Sequence, residues 1–284
     1  MSAENWVSRA PRSIGLDHIV AGVLADVPAR PARGSLPENK DRSRPPDTPR
    51  DARAALLASG CTVITELKRA VPYRGEISHL ATPADMARLG RELEGVGVRL
   101  LAVQTDRRRF HGSLEDMQTV REATGVPMMC RDIIVDPYQI HEARCYGADV
   151  VPLQVELMDQ PRLVSLLDRV ESLGMTALLE VRTPHEADRA LEAGASVIGI
   201  SAWSLASDAL YRQAFTEIVP GLPEEVIKIA VGGVETSRNL LDYASQGADA
   251  VVVGESIVAG TDPTAIARSL VAVGQHPSCP SRKI

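Results

Sequence analysis

The sequence predicts a single (β/α)8 barrel with an extra helix in front of it. Three observations carry that expectation. Eight short β-rich runs alternate with helical stretches at roughly 20–37-residue intervals. The runs are almost continuously apolar, which suits parallel strands covered on both faces. Three of them are entered through one repeated phrase: Gly147-Ala-Asp-Val, Gly194-Ala-Ser-Val and Gly247-Ala-Asp-Ala. A glycine there ends a helix and lets the chain re-enter the sheet at once.

Taken in order, residues 14–27 place Ile14, Ile19, Val20, Val23, Leu24 and Val27 on one helical stripe. Residues 28–52 are rich in Pro, Arg and Asp without periodicity and read as a flexible tether. The expected division is therefore helix and tether over 1–55 and one barrel over 56–284. The strand runs are CTVITE (61–66), VRLLAVQ (98–104), VPMMCR (126–131), DVVPLQ (149–154), TALLE (176–180), VIGIS (197–201), IKIAV (227–231) and DAVVV (249–253). Helical patterns such as LEDMQTVREAT and PHEADRALEAG follow them. No G-x-G-x-x-G follows the first run, so an open dinucleotide-binding sheet is disfavoured against a closed barrel. In a closed barrel the chemistry gathers at the C-terminal strand ends.

Composition narrows the function classes. The 284 residues are 44% hydrophobic and 24% charged, which is ordinary globular composition. A net charge of -6 gives no basic footprint for nucleic acid. No apolar run approaches the roughly 20 residues of a membrane helix, and the first residues lack the apolar core of a secretory signal. A cytoplasmic protein, monomeric or homodimeric, is expected. Cys61, Cys130, Cys145 and Cys279 form no CxxC pair and fit no zinc spacing, so they read as buried thiols and no metal is expected. Cys130 stands out only because it adjoins a strand-end arginine.

The strand ends supply the candidate residues. The seventh run ends at Val231-Gly232-Gly233 and the eighth at Gly254-Glu255-Ser256. Glycines let backbone N–H groups approach an anion, and helix starts after the last two strands add positive potential, so these residues read as a phosphate site. Glu66, Lys68 and Glu180 would converge at the barrel mouth, where a carboxylate takes a proton and a desolvated lysine gives one. The plainer reading is a structural Lys68–Glu180 ion pair. Arg107, Arg108 and Arg109 read as a solvated loop, and none of His79, His111, His141, His185 and His276 has a clustered partner.

Several segments resemble indole-3-glycerol phosphate synthases. ITELKRAVPYRGEI is similar to that family's E-x-K-R-x-S-P-S signature. The run from FHGSLEDMQ through RDIIVDPYQIHEARCYGADVV is similar to its F-x-G-S-x-x-D-L and K-D-F-I-V-x-P-Y-Q-I-x-E-A-R-x-x-G-A-D. ESLGMTALLEVRTPHEADRALEAGASVIGI and GADAVVVGESIV continue it, and the closing HPSCP is similar to the tail of actinobacterial members. The resemblance implies closure of an indole ring on an anthranilate-bearing ribulose 5-phosphate, with loss of carbon dioxide and water and no cofactor. It places Glu66 and Lys68 at the strand-1 pair, Glu180 at the strand-5 glutamate, and Gly233 and Gly254 at the phosphate glycines.

Departures concentrate in the same site. Arg131 stands at the lysine implied to be the general acid, Ser201 at an asparagine, and Trp203 at an arginine implied to hold anionic groups. Val231-Gly232 stands at a Glu-Ser pair and Val71 at a serine. In the implied substrate pocket, Ile133 stands at a phenylalanine and Gln154 at an apolar position. Arginine is a poor proton donor, and an amide facing a bare benzene ring would be unpaired. The leading expectation is therefore a lyase of this lineage with an altered phosphorylated amino-ketose substrate or altered chemistry. The family's own synthase, in tryptophan biosynthesis, and a non-catalytic barrel binding a phosphorylated ligand or a partner are the alternatives.

Overall fold

The computed structural model describes residues 15–27, 48–72, 75–205, 209–277 and 279. Ile14 of the expected stripe and residues 28–47 of the expected tether lie outside the described residues. In chain order the elements are α1 (Leu16–Asp26), α2 (Ala52–Leu56), β1 (Thr62–Leu67), β2 (Ala70–Val71), β3 (Gly75–Glu76) and α3 (Pro83–Gly95). Then come β4 (Leu100–Gln104), α4 (Arg107–Phe110), α5 (Leu114–Ala123), β5 (Met128–Arg131), α6 (Pro137–Cys145), β6 (Val150–Gln154) and α7 (Gln160–Ser172). The rest are β7 (Thr176–Val181), α8 (Pro184–Glu192), β8 (Val197–Ser201), α9 (Gln213–Ile218), β9 (Ile227–Val231), α10 (Ser237–Ser245), β10 (Ala250–Val253), α11 (Glu255–Val258) and α12 (Pro263–Gly274).

The eight expected runs are the eight barrel strands. They close in the order β1-β10-β9-β8-β7-β6-β5-β4, every neighbour parallel. Helix starts follow from local chemistry. Thr82, Asp136 and Thr236 form capping boxes with Asp85, Gln139 and Asn239, and Pro83, Pro137, Pro184 and Pro263 fill first-turn positions that need no N–H. The three repeated glycines have φ of 93° at Gly147, 93° at Gly194 and 98° at Gly247, the left-handed exit their phrase implies.

Strand alternation divides the core in two. Ile64, Leu100, Ala102, Met129, Val150, Leu178, Val197, Ile227, Ile229 and Val252 fill the barrel. Val63, Leu101, Val103, Met128, Cys130, Val151, Leu179, Ile198 and Val251 face the helices. Cys130 is thus a buried thiol on the outer side of its strand, beside the Thr105 hydroxyl at 3.5 Å.

Residues 52–55, read as tether from sequence, are instead helical. Asp51 caps α2 by accepting from Ala54 N at 2.9 Å. Ala52 and Leu56 pack into the barrel-interior cluster. Ala55 O accepts from the Thr62 hydroxyl at 3.1 Å, and Arg53 reaches Ser196 at 2.8 Å. Both contacts lie where strands begin, so α2 plugs the N-terminal end. At the opposite end α1 lays Ile19 and Val23 on Ile133 and Val135.

Two of the most family-like segments are scaffold. Arg69 grips Asp116 bidentately at 2.5 and 2.7 Å, joining the β1 loop to α5. The Gln139 amide accepts from Val135 N and Asp136 N and donates to Ile133 O, which fixes the β5–α6 turn.

Candidate active site

The inward positions at the C-terminal strand ends form the floor of a cavity of about 920 Å³. They are Glu66, Gln104, Arg131, Gln154, Glu180, Ser201, Val231 and Val252, one from each of the eight barrel strands. Gly232, Gly233, Gly254, Glu255 and Ser256 line the β9–β10 side, and Trp203 lines it from the loop after β8.

Six of the floor and rim side chains make a continuous polar chain. Lys68 Nζ donates to Glu66 Oε2 at 2.8 Å. Glu66 Oε1 accepts from Gln104 Nε2 at 2.8 Å and from Arg131 Nε at 3.3 Å. Arg131 Nη1 donates to Glu180 Oε1. Glu180 Oε2 accepts from Gln154 Nε2 at 3.3 Å. Two cations and two carboxylates alternate, so the buried charges sum to zero and each has a partner, the condition for holding them out of water.

This pairing sets the protonation states. Burial pushes the Glu66 carboxyl up, but the Lys68 ammonium and the Arg131 guanidinium outweigh it and hold the group at about 2. Burial opposes the Arg131 charge, yet Glu180 and Glu66 raise its already high value further. Glu66 is therefore a fixed anion and Arg131 a fixed cation at neutral pH.

The structure revises several sequence expectations. Lys68 pairs with Glu66 rather than Glu180. Arg131, at the position implied to hold the general acid, has its guanidinium committed to two carboxylates. Ser201 folds back on its own loop: its hydroxyl donates to Trp203 O at 3.1 Å and accepts from Trp203 N at 3.3 Å. Ile133 does not line the cavity; it is buried beneath α1.

The glycines expected from sequence to form a phosphate site divide. Gly232 and Gly233, with φ of 78° and 75°, make the tight turn after β9. The Gly232 N–H, however, donates to Val252 O at 3.2 Å and is spent on closing the barrel. A Cβ on Gly232 would lie 2.7 Å from Trp203 Cδ1, so the indole occupies the space beside it. A Cβ on Gly254 would lie 2.6 Å from Glu66 Oε2 and 3.2 Å from Lys68 Cε, so this glycine makes room for the Glu66–Lys68 pair. The Ser256 hydroxyl donates to Val234 O at 3.0 Å.

The three arginines of the β4 loop are tied down. Arg107 faces Glu115 at 3.4 Å, Arg108 faces Asp26 of α1, and Arg109 faces Asp106 at 2.6 Å. Arg108 and Arg109 reach the cavity wall. Gln104, Glu156 and Arg182 also line the cavity and were not singled out from sequence. Gln104 and Arg182 continue a two-residue alternation to or past a strand end, and that period was the available signal; Glu156 lies in the 3-10 turn after β6, where the period stops.

Comparisons with known proteins bear on the family and the fold. The family model for indole-3-glycerol phosphate synthase matches residues 16–270. Curated relatives of that name include one from Mycolicibacterium vanbaalenii, 51% identical, and one from Mycobacterium avium, 52% identical; each alignment covers 93% of this chain and 96% of the relative. Among solved structures, 3-hexulose-6-phosphate synthase from Salmonella typhimurium aligns at TM-score 0.59 and 15% identity, over 76% of this chain and all of that one. Thiamine phosphate pyrophosphorylase from Pyrococcus furiosus aligns at 0.58 and 16%, over 78% and 98%. These two likenesses show the barrel fold alone. The sequence relatives show more: the chain belongs to the indole-3-glycerol phosphate synthase family, whose enzymes are carboxy-lyases.

Proposed function

We propose that this barrel is a ring-closing carboxy-lyase acting on an arylamino-ribulose phosphate, the reaction its named relatives carry. The observation that supports this best is the joint placement of Lys68, Glu66 and Glu180 in one cavity large enough for such a ligand. In that reaction a ring carbon bonds to the ketose carbonyl carbon, carbon dioxide leaves, and the former carbonyl oxygen departs as water. The oxygen needs a proton donor, and the carbon beside the nitrogen must lose a proton.

Lys68 is the one lysine lining the cavity among the described residues, and only one of its bonds, to Glu66, is accounted for. Its ammonium retains N–H donors to offer the oxygen. Glu180 Oε2 holds the weakest bond of the four carboxylate oxygens, a 3.3 Å contact with Gln154, and is the acceptor best suited to take the carbon-bound proton. Arg131 orients both carboxylates but does not exchange a proton.

A second reading has its own support. Val231 and Trp203 carry no ionisable group at the two positions where the family is implied to have one each, which favours an altered ligand. The test is conversion of the anthranilate-ribulose phosphate by purified protein, followed by indole fluorescence and carbon dioxide release. Turnover that Lys68→Met abolishes supports the first reading. Tight binding without turnover supports the second.

A further inference from the structure

The cavity corner at the ends of β6 and β7 holds polar groups that the ring-closing chemistry does not use. Gln154 is 6% exposed and lines the cavity. Its Nε2 is oriented by Glu180 Oε2, which fixes which end of the amide is oxygen, since the opposite assignment would set two acceptors against each other. Gln154 Oε1 then has no hydrogen-bond partner, and bulk water does not reach it. A buried acceptor left bare is costly and invites an occupant.

Arg182, two residues beyond Glu180 on the same alternation, lines the same cavity. Its Nη1 faces Glu156 Oε2 at 3.6 Å, while its Nε is a buried donor with no partner. Glu156, two residues beyond Gln154, completes the corner. Burial pushes its carboxyl up against the opposing pull of Arg182, with Glu186 of α8 and Glu180 of β7 adding to the rise. An unmet acceptor and an unmet donor on adjacent strand ends suit a ligand group that both donates and accepts. A hydroxyl is the smallest group that does so.

We propose that Gln154 and Arg182 form a specificity subsite that reads a hydroxyl on the aryl ring of the arylamino-ribulose phosphate, so that the preferred substrate carries a hydroxylated ring rather than the bare anthranilate ring. This inference rests on the cavity being the substrate site, as proposed above. A bare ring would leave Gln154 Oε1 unpaired in the complex as well. A hydroxyl placed there gives its proton to Gln154 Oε1 and accepts from Arg182 Nε. Sites built to bond a hydroxyl discriminate strongly against analogues lacking it.

The test compares the dissociation constants of the anthranilate-ribulose phosphate and of its ring-hydroxylated congeners, measured by calorimetry on the full chain. The expected result is at least tenfold tighter binding of one congener by the unaltered protein, about 1.4 kcal/mol. Gln154→Leu is expected to collapse that preference, and Arg182→Met to weaken it, which provides a second variant if the first folds poorly. Equal binding of all ligands by the unaltered protein, or tighter binding of the bare ring, overturns the subsite while leaving the cavity as the substrate site. Failure of every ligand to bind overturns the functional reading and the subsite together.

Discussion

Arg131 is the residue whose replacement is most informative. Its guanidinium makes two charge-assisted contacts, to Glu66 at 3.3 Å and to Glu180 at shorter range. Arg131→Ala removes both. Glu66 keeps Lys68 and Gln104, but Glu180 keeps only the Gln154 amide at 3.3 Å. Removing one partner from a buried ion-paired cluster costs about 3–5 kcal/mol, because the remaining charge is left uncompensated. At about 2–4 °C per kcal/mol for a domain near this size, the melting temperature should fall by roughly 6–20 °C. Arg131→Lys keeps one charge and one strong contact, so its loss should be about 1–2 kcal/mol. It also places a titratable ammonium between the two carboxylates. If proton donation limits turnover, kcat should rise by about tenfold or more, since a positioned acid contributes on the order of 100- to 10,000-fold. The assays are thermal unfolding and indole fluorescence on the same preparations. An Arg131→Ala protein with an unchanged melting temperature would refute the buried cluster, and an Arg131→Lys protein with unchanged kcat would refute arginine as a handicap.

Three other outcomes follow from the site. The Glu66 carboxyl is held at about 2 in the fold against 4.5 for an ordinary glutamate, so its contribution is fully present above about pH 4.5 and is lost as pH falls toward 2. Acid denaturation curves of the unaltered protein and Glu66→Gln should therefore converge in that window, and a constant offset through it would argue against the ion pairing. Gly232→Ser brings a Cβ within 2.7 Å of Trp203 and imposes φ of 78° on a serine, which should cost about 1–3 kcal/mol. Adding Trp203→Arg should recover part of that loss, and strict additivity in the double-mutant cycle would deny the coupling. Gly254→Ala should lower kcat more than it lowers stability, because its methyl meets Glu66 and Lys68; equal kcat would show that the pair tolerates displacement.

The barrel was legible because buried parallel strands read as apolar runs and helix exits repeat a glycine phrase. The short helix α2 was not, because five residues in a charged stretch show no period; its evidence is Leu56 in the barrel floor and a single Asp51 cap. Glu66, Lys68, Arg131 and Glu180 were identifiable as strand-end residues, but not their pairing. Gln104 meets Glu66 across 38 residues, and Arg131 meets Glu180 across 49, through register that only barrel closure sets. Ile133 was placed in the pocket by the resemblance alone; the turn after β5, fixed by Gln139, lays it under α1. The glycines after β9 and β10 were read as anion cradles. That a side chain at Gly232 would meet the Trp203 indole, and one at Gly254 the Glu66–Lys68 pair, depends on contacts across the barrel that no sequence pattern carries.

The central claim is that Lys68, held by Glu66, supplies the proton for ring closure in this cavity. Single-turnover indole fluorescence with excess enzyme over arylamino-ribulose phosphate tests it most directly, comparing the unaltered protein with Lys68→Met and Lys68→Arg. The account predicts product from the unaltered protein, retained ligand binding in both variants, and a loss of about 100-fold or more in the chemical step for each, since an arginine restores the charge but not the transferable proton. Product formation at an undiminished rate in Lys68→Arg would contradict it.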